Sequence, residues 1–282
     1  MMEVRKLKKE EHIRTRKLWE KVFTEDTEKF LDYYYSEKVK DNEIYVIEDD
    51  GEIVSMVHLN PYRMRIDKEI HNTHYIVAVA TDENYRRKGL MATLLRYVMD
   101  VMQRRGEPFT FLMPASESIY KPFGFTFIYT QNQSKVLGLE CKDEEIEIVD
   151  ASEADCYNMA EFANKYLQTY EITTWRTAEY YKKILSEQSS QNGGILLLKK
   201  NGIIEGVVCY AKEEEFEIRE PLVNNEESLK YCVFALTGNE TDSILCIGFG
   251  EEIEKPMIMA KAFSKEMDKK IKNAKVFINE VV

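Results

Sequence analysis

The sequence predicts an α/β (α+β) fold of mixed, mostly antiparallel sheets flanked by helices, built twice in tandem. Three observations predict it. "EIYVIEDDGEIVSMVHL" holds two β-rich runs joined at Asp50-Gly51, the dipeptide of a tight hairpin. From Tyr75 onwards an apolar run, a cationic turn with a glycine, a helical pattern and the run "PFTFLMP" follow one another within about 40 residues, a βαβ unit. Finally, "IYVIEDDGEIVSMVHL" (44–59) aligns without gaps on "ILLLKKNGIIEGVVCY" (195–210), and helical patterns precede both copies.

The elements follow in order. Between Glu10 and Lys40, Leu18, Trp19, Val22, Phe23, Phe30, Leu31 and Tyr34 recur at three- and four-residue spacings. That spacing predicts two short helices broken near "TEDT", the second capped by Thr24 or Asp26. The hairpin comes next. The run Tyr75–Thr81 is apolar on both faces and reads as a central strand. A helix is expected from about Gly89 to Arg105, with Leu90, Leu94, Val98 and Val101 on one stripe, ending at Gly106. "PFTFLMP" reads as a strand, and "SIYKPFGFTFIYT" as a turn or short helix leading into another. The acidic "ECKDEEIEIVDASEAD" reads as a linker. Beyond the second hairpin, "YCVFALTG", "SILCIGFG" and "PMIMAKAF" all read as strands, none followed by an arginine-rich glycine turn. The tail "SKEMDKKIKNAKVFINEVV" reads as a basic helix and an apolar strand that packs back onto the body. The expected domains are 1–140, 141–255 and a tail, 256–282.

Composition narrows the function. The chain of 282 residues carries a net charge of -11, which disfavours a general nucleic-acid binder, whose affinity rests on neutralising phosphates. The charged amino terminus offers no signal-peptide core, and no apolar run approaches the roughly 20 residues that span a bilayer, so no membrane partner and a cytoplasmic location are expected. Five cysteines without a CxxC pair read as buried free thiols, and four histidines without ligand spacing imply no metal.

The turn "YRRKGLMA" holds the chemistry. Arg86, Arg87 and Lys88 crowd the positive end of a helix, where cations are unfavourable unless an anion binds there. The backbone amides of Lys88 to Ala92 are placed to meet one phosphate while the flanking cations meet others. The turn is neither a P-loop nor GxGxxG. A solvated basic patch is the competing reading.

This pattern resembles the acetyl-coenzyme A pyrophosphate loop of the GCN5-related N-acetyltransferase superfamily, with Met91 and then Ala92 where the motif has a small residue. "VAVAT", "RRKGLM" and "PASESIYKPFGF" resemble more closely the enhanced intracellular survival acetyltransferases. The resemblance implies tandem acetyltransferase-type folds with a degenerate second copy. It also implies that the tail is a remnant of a sterol-carrier-like region, and it raises homo-oligomerisation.

What the resemblance implies for the site is acetyl-CoA as acyl donor, with no metal. Val77, Ala78 and Val79 would run beside the pantetheine arm on a strand splayed from its neighbour, with one amide facing the thioester oxygen. Arg87, Lys88, Gly89, Leu90, Met91 and Ala92 would hold the pyrophosphate, and Ser116 and Glu117 the distal part of the arm. Tyr120, in "IYKPFGF", would protonate the leaving thiolate, since a phenol of pKa about 10 can supply a thiolate of pKa about 8.5. The terminal carboxylate of Val282 would be the base that receives the amine's proton. An edge-strand role for Val282, with Glu117 or Asp26 polarising a water, is the alternative. Phe23 and Asp26, with Trp19, Phe30, Tyr33 and Tyr34, would line an amine pocket, although most of these read as core before they read as ligand contacts. The function implied is N-acetylation of a primary amine, of a small molecule or a lysine. A non-catalytic CoA-binding regulatory or assembly module is the alternative.

Overall fold

The structure, a computed structural model, describes residues 3–212 and 214–280. It divides into two compact units that are not contiguous in sequence. The first takes in residues up to Tyr129, Glu171–Thr174 and the segment from Met257 onwards; the second takes in Thr130–Tyr170 and Trp175–Pro256.

In the first unit, β1 (Val4–Lys6), β2 (Glu43–Asp49), β3 (Glu52–Ile66), β4 (Glu69–Thr81) and β5 (Phe109–Leu112) lie side by side. The β2–β3 hairpin turns at Asp50 and Gly51, with φ +49° and +82°, as its dipeptide predicts. The β3–β4 turn puts a non-glycine residue, Asp67, at φ +54°, so β4 begins earlier than the apolar run at Tyr75 indicates. Helix α1 (Arg16–Val22) and helix α2 (Glu28–Ser36) pack Leu18, Trp19, Phe30, Leu31 and Tyr34 into one core with Ile44, Val46, Met56, Ala78 and Ala80. Thr27, not Thr24 or Asp26, caps α2: its hydroxyl accepts from the Phe30 amide at 3.2 Å. Asp26 is already taken by the Trp19 indole N–H, 2.7 Å away. Helix α3 (Leu90–Arg104) buries Leu94, Leu95, Val98 and Met102, and short helix α4 (Glu117–Tyr120) follows β5.

Strand β6 (Thr126–Leu137) carries the chain into the second unit. There β7 (Ile146–Asp150) occupies part of the segment read as a linker and pairs antiparallel with Leu196–Lys200. Alternating Ile146 and Ile148 pack against the core, a signal masked by the acidic residues between them. The short strand β8 (Ile172–Thr174) returns to the first unit and pairs with the far end of β3. Helices α5 (Cys156–Tyr166) and α6 (Ala178–Ser190) precede the second hairpin, β9 (Gly194–Lys200) and β10 (Ile203–Lys212). That hairpin turns at Asn201 and Gly202 with φ +51° and +77°, matching the first. Then come β11 (Phe216–Val223), helix α7 (Glu226–Thr237) and β12 (Ser243–Ile247).

The stretch "YCVFALTG" is thus the end of a helix, not a strand. Asn225 caps that helix, Gly238 ends it at φ +70°, and Leu229, Cys232 and Val233 bury one face at helical spacing. Strand β13 (Ile253–Ala262) lies beside β5 in the first unit through Met259–Ala262. Helix α8 (Lys265–Ile271) and β14 (Val276–Phe277) follow, and β14 pairs with β8. All five cysteines are free, and all but Cys141 are buried. Among the described residues no helix is long and apolar enough to cross a membrane, and no group of side chains could hold a metal ion.

Candidate active site

Strand β4 is irregular where the sequence places the donor. Met56 opposes Ala80 and His58 opposes Val77, so Ala78 and Val79 together face Val57 across a bulge. Ala78 sits at φ +50°, unusual for a residue with a Cβ. On its other side β4 pairs in parallel with β5 at Tyr75 and Phe111. Past that point β4 runs on to Thr81, whereas β5 ends at Leu112. The two strands part there, and the edge of β4 from Val77 to Val79 faces the gap.

The loop after β4 ends at the start of α3. Gly89 takes φ +79°, and a Cβ built there would meet nothing within 4 Å. The glycine is therefore required by backbone conformation, and the space over the helix end is open. Arg87 is also left-handed, at φ +61°. No side chain caps α3, so its first amides are free for a ligand. Arg86, Arg87 and Lys88 are exposed, and among the described residues none forms an ion pair with a carboxylate. In the same loop, Asp82 and Glu83 are both held by Lys21, at 2.9 and 3.3 Å. Lys88 Nζ lies 4.4 Å from the Tyr85 ring centroid, and Tyr85 donates to Asp49 at 2.8 Å. Leu90, Met91 and Ala92 are half-buried along the first turn.

The second unit keeps the bulge and inverts the charge. Cys209 opposes Glu220 and Tyr210 opposes Ile218, leaving Arg219 as the extra residue. The helix that follows has Asn225 accepting from the Ser228 amide at 2.9 Å and Glu226 and Glu227 in its first turn. Its amides are capped and its charge repels phosphate. At the bulge itself, Glu220 is ion-paired at 2.8 Å with the fully buried Arg176.

Tyr120 ends α4 and is buried against Phe125, ring centroids 6.0 Å apart. Burial pushes its phenol up to about 12. The turn after it ends at Gly124, φ +83°, where a Cβ would lie 2.9 Å from Lys261 Nζ. Ser116 Oγ is 2.9 Å from Ser118 Oγ, and Glu117 pairs with Lys121 at 3.3 Å. Phe23 stacks at 5.6 Å on Trp19, whose indole holds Asp26, and burial raises the Asp26 carboxyl above its usual range. Trp19, Phe30, Tyr33 and Tyr34 are core residues. Val282 lies outside the described residues.

Two groups escaped the sequence reading. Beneath the bulge, the Tyr34 hydroxyl accepts from Asn42 Nδ2 at 3.0 Å, donates to Asn60 Oδ1 at 3.2 Å, and lies 3.1 Å from His58 Nδ1. With its one proton committed to Asn60, Tyr34 must accept from His58, which makes Nδ1 the protonated ring nitrogen. Burial holds His58 down to about 3, so the ring is neutral. The second group is Tyr75, whose hydroxyl bonds to the Met113 backbone where β4 and β5 part; burial, and after it the neighbouring Tyr62 and Glu280, push its phenol up. His58 and Asn60 sit two apart on one strand face, a legible spacing. Glu280 carried no local signal.

Residues 3–128 match the family model described as an acetyltransferase (GNAT) domain. Sequence comparison with curated proteins finds no match. Among solved structures, a probable N-acyltransferase from Enterococcus faecalis V583 superposes with TM-score 0.78 at 18% identity, over 95% of this chain and 74% of that one. A GCN5-related N-acetyltransferase from Kribbella flavida gives 0.71 at 14%, over 93% and 72%. Eis1 from Mycobacterium abscessus gives 0.66 at 11%, over 94% and 74%. A tandem GNAT protein from the clavulanic acid biosynthesis pathway gives 0.59 at 9%, over 94% and 99%. These likenesses bear on the fold: two acetyltransferase-type units in one chain. Over residues 3–128 this protein is therefore similar to acetyltransferase domains of the GNAT family, a class of domain whose acyl donor is acetyl-CoA.

Proposed function

We propose that the first unit transfers an acetyl group from acetyl-CoA to a primary amine by direct attack on the thioester. One observation carries this reading. A split, bulged strand leads straight into an uncapped helix end whose three cations have no carboxylate partner among the described residues. Arg87, Lys88 and the amides of Gly89 to Ala92 hold the diphosphate, and the edge of Val77, Ala78 and Val79 holds the pantetheine arm. Ser116 and Glu117 flank that arm. The Val79 amide faces the developing oxyanion, and Tyr120 gives its proton to the departing sulfur. Phe23 and Asp26 border the amine's entry. Kinship with the enhanced intracellular survival branch rests on "RRKGLM" and "IYKPFGF" and, with it, the assignment of the Val282 carboxylate as base.

The test is thermal melting with acetyl-CoA, followed by thiol release over a panel of amines. At a hundred times the dissociation constant, binding adds about 2.7 kcal/mol of stability. A melting curve that acetyl-CoA leaves unmoved would sink the reading. Stabilisation without thiol release from any amine would favour a CoA-binding module instead.

A further inference from the structure

Coenzyme A carries a third phosphate besides its diphosphate, on the ribose of its adenosine. Acyl groups also occur on phosphopantetheine carriers that lack it. We propose that Arg96 binds this ribose phosphate and so selects free CoA thioesters over thioesters on such carriers. The proposal rests on the acetyltransferase reading above and adds a donor specificity to it.

Helix α3 places Arg96 in line with its own start. Arg96 stands three residues beyond Thr93 and four beyond Ala92, so the three share one face of the helix. Ala92 belongs to the first turn, whose amides no side chain caps. Thr93 turns its hydroxyl back to the Gly89 carbonyl, 3.1 Å away, rather than out to solvent. From Leu90 to Arg96 the helix rises about 9 Å, and helical side chains lean back towards the amino-terminal end. Arg96 therefore serves the surface about one turn nearer the helix start. A single ribose joins the diphosphate to the third phosphate, so a ligand gripped at that start carries its third phosphate within a turn or two of the grip.

The guanidinium is held in place and has no acid of its own. It lies over the Phe123 ring, 5.6 Å from the centroid, in the turn that follows Tyr120. That platform orients the planar fork with which arginine makes two parallel hydrogen bonds to a phosphate. Arg96 is exposed and forms no ion pair among the described residues. Asp100, one turn further along α3, is engaged by Arg104 at 2.7 Å, and Glu117 by Lys121 at 3.3 Å. Lys261, on the strand beside β5, brings its Nζ to the same turn, 2.9 Å from where a Cβ on Gly124 would lie. It too has no carboxylate partner among the described residues. Two cations thus meet one turn, and no carboxylate engages either.

The experiment is isothermal titration with acetyl-CoA and with acetyl-dephospho-CoA, which lacks only the ribose phosphate; no amine is needed. The proteins are the wild type, Arg96→Ala, Arg96→Lys and Arg104→Ala. The wild type should bind acetyl-CoA about tenfold tighter than the dephospho form, as one charge-assisted contact supplies. Arg96→Ala should weaken acetyl-CoA about tenfold and leave the dephospho form within about twofold, so that the preference vanishes. Arg96→Lys should keep part of it, because the charge remains without the fork. Arg104→Ala, at the far end of the helix, should keep all of it. Equal affinity of the wild type for the two donors overturns the assignment. So does an Arg96→Ala variant that weakens both donors alike, which marks a packing role on Phe123. Loss of the preference in Arg104→Ala as well marks a diffuse basic surface and overturns it too. In each of these cases acetyl-CoA still binds the wild type and the acetyltransferase reading stands. A wild type that binds neither donor overturns both.

Discussion

Replacing Arg87 and Lys88 together by alanine removes two charges that no carboxylate among the described residues engages. Both side chains are exposed, so the fold should lose little, within about 0.5 kcal/mol. Binding should lose much more. A cation about 4 Å from a phosphate charge in water is worth about 1 kcal/mol, and a charge-assisted hydrogen bond adds to it. Taking about 1–1.5 kcal/mol per residue, the double variant gives up about 2–3 kcal/mol. At a tenfold change per 1.4 kcal/mol, the dissociation constant of acetyl-CoA should rise about 30- to 150-fold. Isothermal titration of both proteins measures this directly. Because these charges are exposed, the gap should narrow in 1 M salt, where screening acts within about 3 Å. Binding within threefold of the wild type, or a loss independent of salt, would refute the claim that the turn grips a diphosphate.

Other consequences are as concrete. Tyr120→Phe keeps the ring that packs on Phe125 and removes the proton, so kcat should fall about a hundredfold with acetyl-CoA affinity preserved; unchanged turnover removes Tyr120 from the mechanism. Gly89→Ala places a Cβ in open space at φ +79°, so it should cost about 1–2 kcal/mol of backbone strain without a clash, read by urea melts. Thr27→Ala should cost about 1 kcal/mol by uncapping α2, and no change in the denaturation midpoint would contradict the cap. Burial lowers the folded pKa of His58 from 6.5 to about 3, so between those values the unfolded chain binds the extra proton. Stability should therefore fall as pH drops below 6.5, at up to about 1.4 kcal/mol per unit for this one group, and a His58→Asn variant should flatten the slope.

How far the site could be read in advance depended on whether its signal was local. The hairpins announced themselves through Asp50-Gly51 and Asn201-Gly202, because left-handed turn positions restrict residue choice wherever they occur. Gly89 and its cations were legible for a similar reason: a helix start is a local electrostatic object. The bulge was expected only through resemblance, because Ala78 is an ordinary strand residue and its positive φ is imposed by β3. "YCVFALTG" misled because an apolar run without its cap reads as strand, whereas Asn225 lies outside it. The Thr27 cap depended on which acid Trp19 claims, a contact made by packing.

Composition, turn dipeptides and the cationic helix start thus determined, from sequence alone, the fold class, the repeat and the exposed cationic loop, since each is set by backbone chemistry over a few neighbouring residues. Tertiary structure alone decided that β4 and β5 part beside Ala78, that the second copy places Glu226 and Glu227 where the first has cations, and that Glu280 is buried. Those relations join residues far apart in the chain, and only the closing of the sheet and the burial it enforces bring them within reach of one another.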